Sequence, residues 1–221
     1  NGRSFKFPRP VKQWGSYVME NVLFKISFPA EFHSQTAVEC AMQLHPHVRK
    51  RIADIKRIII RTHEAAIRII DKKGPLSNPA DRDHCIQYIV AVPLIFGRLT
   101  AADYEDAVAA DPRIDELREK MMCIEDPEFT RDYYDPEKRA ISNGLTVEFK
   151  DGSKLDEIVV EYPIGHRFRR KEGIPLLEEK FKINLARRFQ AKQQKAILDL
   201  CLDMEKLGAT TVDEFVDMFV I

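Results

Sequence analysis

Several things are scarce in this sequence, and each scarcity narrows what the chain can be. Cys40, Cys85, Cys123 and Cys201 are its only four cysteines in 221 residues. They form no C-x-x-C pair, and each lies in a segment that reads as helical or apolar. This argues against a structural zinc site and for free thiols in the reducing cytoplasm. Net charge is missing too: 35 Lys and Arg balance 35 Asp and Glu, so no global field draws nucleic acid or an anionic membrane. No run is long and apolar enough to span a bilayer. The opening Asn1-Gly2-Arg3-Ser4 has neither an initiator Met nor a signal-peptide core, so the chain is expected to begin inside a longer protein. There is no G-x-G-x-x-G, P-loop or H-E-x-x-H motif, no internal repeat and no low-complexity tract.

What is present is enough for a core without staples. Residues 1–16 are rich in Pro, Gly, Lys and Arg with Phe5, Phe7 and Trp14 interleaved, an irregular leader whose aromatics would dock on something. Val22 to Phe28 reads as a strand stopped by Pro29. Thr36-x-x-Glu39 is a possible capping box for the helix that follows. Ile55 to Thr62 alternates as a partly buried strand, followed by a short helix from Glu64 to Ile70. Asn78 caps a helix with Pro79 at its first position, expected to run to Phe96 past Pro93 and to end at Gly97. On it, His84 and Tyr88, four apart, would share a face. Thr100 to Ala109 and Asp111 to Met121 read as two more helices, and residues 126–138 as loop. Asp151-Gly152 between Leu145–Phe149 and Leu155–Tyr162 marks a hairpin. Residues 165–171 form a basic loop that could hold carboxylates. C-terminal helices fill about 174–221, starting at Pro175, with Thr211-x-x-Glu214 capping the last. The sum is an α+β domain with a small antiparallel or mixed sheet packed in two layers with several helices.

The strand-to-helix junction around Pro29 carries the first candidates for chemistry. Lys25, Glu31, His33 and Ser34 sit there on rigid supports beside free backbone N–H groups, a setting that favours anions. Ordinary surface residues at a turn would look the same. His45, His47 and His63 read as end-of-element residues with no ligand partner at metal spacing.

Long ungapped stretches, from Tyr17 through Pro29-Ala30-Glu31-Phe32-His33 to Ala37, and again at Asn78 to Tyr88, Gly97 to Asp106 and Val160 to His166, resemble the MmgE/PrpD family. The likeness covers essentially all of 1–221. It implies a smaller α+β lid domain whose preceding all-helical domain is absent here. The activity it implies is hydro-lyase chemistry, removing water from 2-methylcitrate to give 2-methyl-cis-aconitate in propionate breakdown, with citrate as a second substrate. Decarboxylation of cis-aconitate or an epimerisation are the alternatives within the family, and a non-catalytic interaction module is the alternative outside it. The resemblance further implies a cluster-independent enzyme with no iron–sulfur or other cofactor, a cytoplasmic homodimer when full-length, and partners limited to a tricarboxylate and the helical domain. Residue by residue it points to Lys25, His33 and Tyr88 as catalytic, with Ser34 and His84 as substrate contacts and no metal. From the residues alone, Tyr88 reads equally as an amphipathic core tyrosine.

Overall fold

The computed structural model describes residues 26–221; Lys25, the aromatic leader and most of the expected first strand lie outside them. Residues 26–28 are irregular rather than strand. Gln35 donates to the Phe28 and Ala30 carbonyls (3.0 and 2.8 Å), holding this stretch from within as it enters α1 (Gln35–Val48) through a 3-10 turn at Phe32–Ser34. The expected capping box is not formed. Thr36 donates instead to the Ile141 carbonyl at 2.5 Å and Glu39 pairs with Arg169, because both face neighbouring chain rather than the helix start.

β1 (Ile55–Thr62) buries Ile55, Ile58, Ile60 and Thr62 on one face. Then come α2 (Glu64–Ile70), α3 (Pro79–Asp83) and α4 (Ile86–Phe96). Asn78 caps as expected, accepting from the Asp81 N–H at 2.9 Å. The expected single helix is nonetheless broken at His84–Cys85, where Cys85 is extended. The buried Arg82 is tied to the Tyr104 carbonyl at 2.6 Å and to Asp106, which anchors α3 away from the axis of α4. His84 and Tyr88 therefore do not share a helical face. From Ile86 to Ile95 every residue of α4 is buried, the signature of a helix packed on all sides. Gly97 ends it at φ +68; a Cβ there would lie 2.8 Å from the His45 ring. His45 itself donates to the Leu94 carbonyl at 3.0 Å.

Thr100 to Ala109 is a 3-10 turn plus the short α5 (Asp106–Ala109), not one helix. α6 (Pro112–Arg118) gives way to an unexpected strand, β2 (Met121–Glu125), and the expected loop after it is α7 (Pro127–Tyr134), capped by Asp126. β3 (Asn143–Phe149) and β4 (Ile158–Val160) form the hairpin, with β4 shorter than expected. The four-stranded sheet runs β2-β1-β3-β4, with β1 and β2 parallel and the remaining pairs antiparallel. Ile58 pairs with Val147 and Ile60 with Leu145, so these four side chains share the face on which α1 and α4 pack. The opposite face is polar: Arg57 grips Glu148 by two hydrogen bonds (2.8 and 3.0 Å) and Arg61 grips Glu157 likewise. This is the expected two-layer α+β arrangement, with a mixed sheet.

Beyond the sheet, α8 (Arg170–Ala186) starts within the basic stretch rather than at Pro175, which lies inside it. α9 (Ala191–Cys201), α10 (Met204–Ala209) and α11 (Val212–Asp217) follow, the last with the expected capping box at Thr211 and Glu214. Among the described residues no helix is long and apolar enough to cross a membrane.

Candidate active site

The first turn before α1 is fixed at three points. Ser34 Oγ donates to the Glu31 carbonyl at 2.6 Å, while Asn143 at the start of β3 donates to both the His33 carbonyl (2.9 Å) and Thr36 Oγ (2.8 Å). With the backbone so held, the Glu31 and His33 side chains meet across the turn. Glu31 accepts from the His33 backbone N–H at 2.8 Å, and His33 Nδ1 lies 2.7 Å from its other oxygen. On the far side of the imidazole, Nε2 is 3.0 Å from the Tyr133 hydroxyl. An ionised carboxylate has no proton to give, so Nδ1 must donate; in the neutral ring Nε2 is then the acceptor and Tyr133 the donor. The result is an ordered carboxylate–imidazole–phenol chain.

Three elements build it. His63 caps the carboxyl end of β1, and Tyr133 comes from the last turn of α7, which follows the parallel strand β2. The Asp126 N–H donates to the Thr62 carbonyl at 2.8 Å, joining the ends of the two strands. Thr130 of α7 accepts the Glu64 N–H at 3.0 Å and Tyr134 donates to the Glu64 carboxylate at 3.0 Å, which locks α7 against the start of α2. The site thus lies at the carboxyl ends of the parallel pair, where open α/β sheets commonly bind ligands.

Burial would raise the Glu31 carboxyl, but the hydrogen bonds and charge of His33 outweigh it and hold the group below its ordinary value; His84 adds a little. His63 is fully buried, its ring 4.5 Å from that of Tyr133 at 90° and 5.2 Å from that of His33. Burial, with the nearby His33 adding to it, pushes His63 down to about 4, so it is neutral near pH 7. Its Nε2 has no hydrogen-bond partner in the protein.

The residues expected from the sequence separate. His33 stands at the centre of the chain. His84 is exposed, contacts Asp83 at 3.5 Å and is close enough to influence Glu31. Ser34 is fully buried, and its proton is already spent on the Glu31 carbonyl, so here it is a turn residue rather than a free substrate contact. Tyr88 belongs to another neighbourhood: buried, stacked on Tyr104 at 5.9 Å, and donating to the Asp103 carbonyl at 2.6 Å. Burial pushes its phenol up to about 12. Lys25 lies outside the described residues.

Glu31 was read from the sequence only as a polar group at the junction, with no role assigned, and His63 and Tyr133 were not among the expected site residues. The signal for Tyr133 was available: Asp126-Pro127 is the same start pattern as Asn78-Pro79 and places Thr130, Tyr133 and Tyr134 on a helix. Among the described residues no group of three or more His, Cys, Asp or Glu is arranged to hold a metal ion.

Comparison with known proteins adds the following. Residues 28–204 match the MmgE/PrpD C-terminal domain. A protein of Salmonella typhimurium named 2-methylcitrate dehydratase is 67% identical over 223 aligned positions, covering 100% of this chain and 46% of that protein. The Escherichia coli K12 protein of the same name is 66% identical, again over 100% of this chain and 46% of its own length. A Yarrowia lipolytica protein named as the mitochondrial 2-methylcitrate dehydratase is 59% identical over 99% of this chain and 42% of its own length. The chain spans about half the length of the curated relatives it matches.

Proposed function

Because the chain belongs to the MmgE/PrpD family, we propose that it is the C-terminal part of a 2-methylcitrate dehydratase, a hydro-lyase converting 2-methylcitrate to 2-methyl-cis-aconitate. The observation that carries this reading is the 67% identity, along the whole chain, to a protein bearing that name. The Glu31–His33 pair supports it chemically. Eliminating water needs a base for a carbon-bound proton, and an imidazole oriented by a carboxylate is suited to that work. Lys25 is proposed as a further catalytic group and His84 as a contact for the substrate carboxylates. Ser34 and Tyr88 enter the site only if their internal hydrogen bonds are released.

The proposed site is half of one. Positioning a tricarboxylate takes groups on several sides, and the remaining length of the relatives is the natural source of the others. Apolar side chains on α10 and α11 stand open, with Met204 76% and Val212 80% exposed, which favours burial against further polypeptide. We assign that partner as the helical domain of the same chain, and a homodimer as the full-length state. The four free thiols fit a reducing compartment, the cytoplasm by our reading; the Yarrowia lipolytica relative is named as mitochondrial.

The test is turnover by the full-length protein of 2-methylcitrate, citrate and cis-aconitate. Dehydration of 2-methylcitrate is expected. Carbon dioxide release from cis-aconitate without any dehydration overturns the reading.

A further inference from the structure

The imidazole of His33 is hemmed in. Glu31 takes its Nδ1 proton and the Tyr133 hydroxyl takes its Nε2 lone pair, so no basic atom of His33 is left to meet a substrate directly. Its side chain is only 12% exposed, and Tyr133, on the last turn of α7, is partly buried beside it. We propose that Tyr133 is the catalytic residue that touches the reacting atoms, and that Glu31 and His33 act through it as a proton relay. This rests on the dehydratase reading above.

In the proposed step the Tyr133 oxygen takes the carbon-bound proton as its own proton passes to His33 Nε2. The imidazolium formed is balanced by the Glu31 carboxylate 2.7 Å away. The C–H electron pair becomes the double bond while the C–O pair leaves with the hydroxyl oxygen. That oxygen takes the proton back through Tyr133 and departs as water, and the relay ends as it began. His63 has a positioning part. Its ring stands edge-on to that of Tyr133, and because it stays neutral near pH 7 it puts no positive charge beside the imidazolium.

The experiment uses the full-length protein with Tyr133→Phe, His33→Gln and the double variant, reading kcat, KM and the thermal midpoint. Tyr133→Phe keeps the ring that packs on His63 and removes only the oxygen. Its kcat is expected to fall about 100-fold or more, with KM within about threefold and the midpoint nearly unchanged. The double variant should be no slower than the worse single one, since one relay is broken once or twice. A second readout needs no turnover: in the 221-residue chain, Tyr133→Phe should shift the Nε2 nitrogen resonance of His33. Full kcat in Tyr133→Phe, multiplicative losses in the double variant, or an unmoved Nε2 resonance each overturn the relay. A wild type that turns over no 2-methylcitrate overturns the substrate reading instead, so the two failures are told apart.

Discussion

Tyr88 and Tyr133 each hydrogen-bond to a residue on a different element of the fold, and the contrast between their surroundings separates a site from a scaffold. Tyr88 gives its proton to a main-chain carbonyl at Asp103, inside a core where the Asp103 carboxylate is already taken by Arg98, Thr100 and the cap of its own turn. The Tyr88 hydroxyl is answered by a main-chain carbonyl, which only accepts and has no second proton to hand on. Tyr133 gives its proton to an imidazole that a carboxylate holds in one tautomer, with a neutral, unsatisfied histidine alongside. A hydrogen bond to a carbonyl ends there; one to an imidazole can pass a proton on. Residue type alone does not distinguish the two.

The largest expected effect sharpens this contrast. Glu31→Gln or His33→Gln should cost about two to four orders of magnitude in turnover by the full-length protein, whereas Tyr88→Phe should stay within about threefold. Steady-state kinetics on the three variants decides it, and a Tyr88→Phe enzyme as slow as His33→Gln would move the catalytic centre to α4.

Next comes the dependence of stability on pH. His63 titrates near 4 when folded and near 6.5 when unfolded, so between those values the unfolded chain binds more protons. Its contribution is complete above pH 6.5 and is lost as pH falls toward 4, a difference of about 3 kcal/mol. Denaturant melts at pH 7 and pH 4.5 should show a steeper decline for the wild type than for His63→Phe. Tyr88→Phe should leave that decline unchanged, because burial pushes the Tyr88 phenol up to about 12, far above this window.

Smaller again, Asn143→Ala removes both donors that hold the turn, at the His33 carbonyl and at Thr36 Oγ. A loss of about 2 kcal/mol in unfolding free energy is expected, with slower turnover at unchanged KM. Smallest, Tyr88→Phe should cost about 1 kcal/mol, the net worth of one buried hydrogen bond to a carbonyl. A cost several times larger would mean that the phenol does more than satisfy Asp103.

The parts of the fold that were legible in the sequence are those with strong local signals: the alternation of β1, the Asp151-Gly152 hairpin, the Asn78 and Thr211 caps, and Gly97 at a helix end. What escaped was decided by tertiary contacts. Met-Met-Cys-Ile-Glu has no alternation, since β2 is an edge strand buried only at Met121, and it is a strand because β1 pairs with it. The break at His84–Cys85 follows from where Arg82 is anchored, twenty and more residues along the chain. In the candidate site, His33 was legible through the family resemblance. Glu31 was visible only as a polar neighbour, and Tyr133 was hidden by reading α7 as loop. The meeting of residues 31, 33, 63 and 133 depends on two parallel strand ends, and no local spacing encodes that.

The central claim is the order of protons along Glu31, His33 and Tyr133, and long-range nitrogen–proton correlation NMR on the 221-residue chain near pH 7.5 reads it directly. The account predicts that His33 carries its proton on Nδ1, hydrogen-bonded to Glu31, with Nε2 as a bare acceptor that moves when Tyr133 becomes Phe. A His33 protonated on Nε2, with Nδ1 bare, would contradict it.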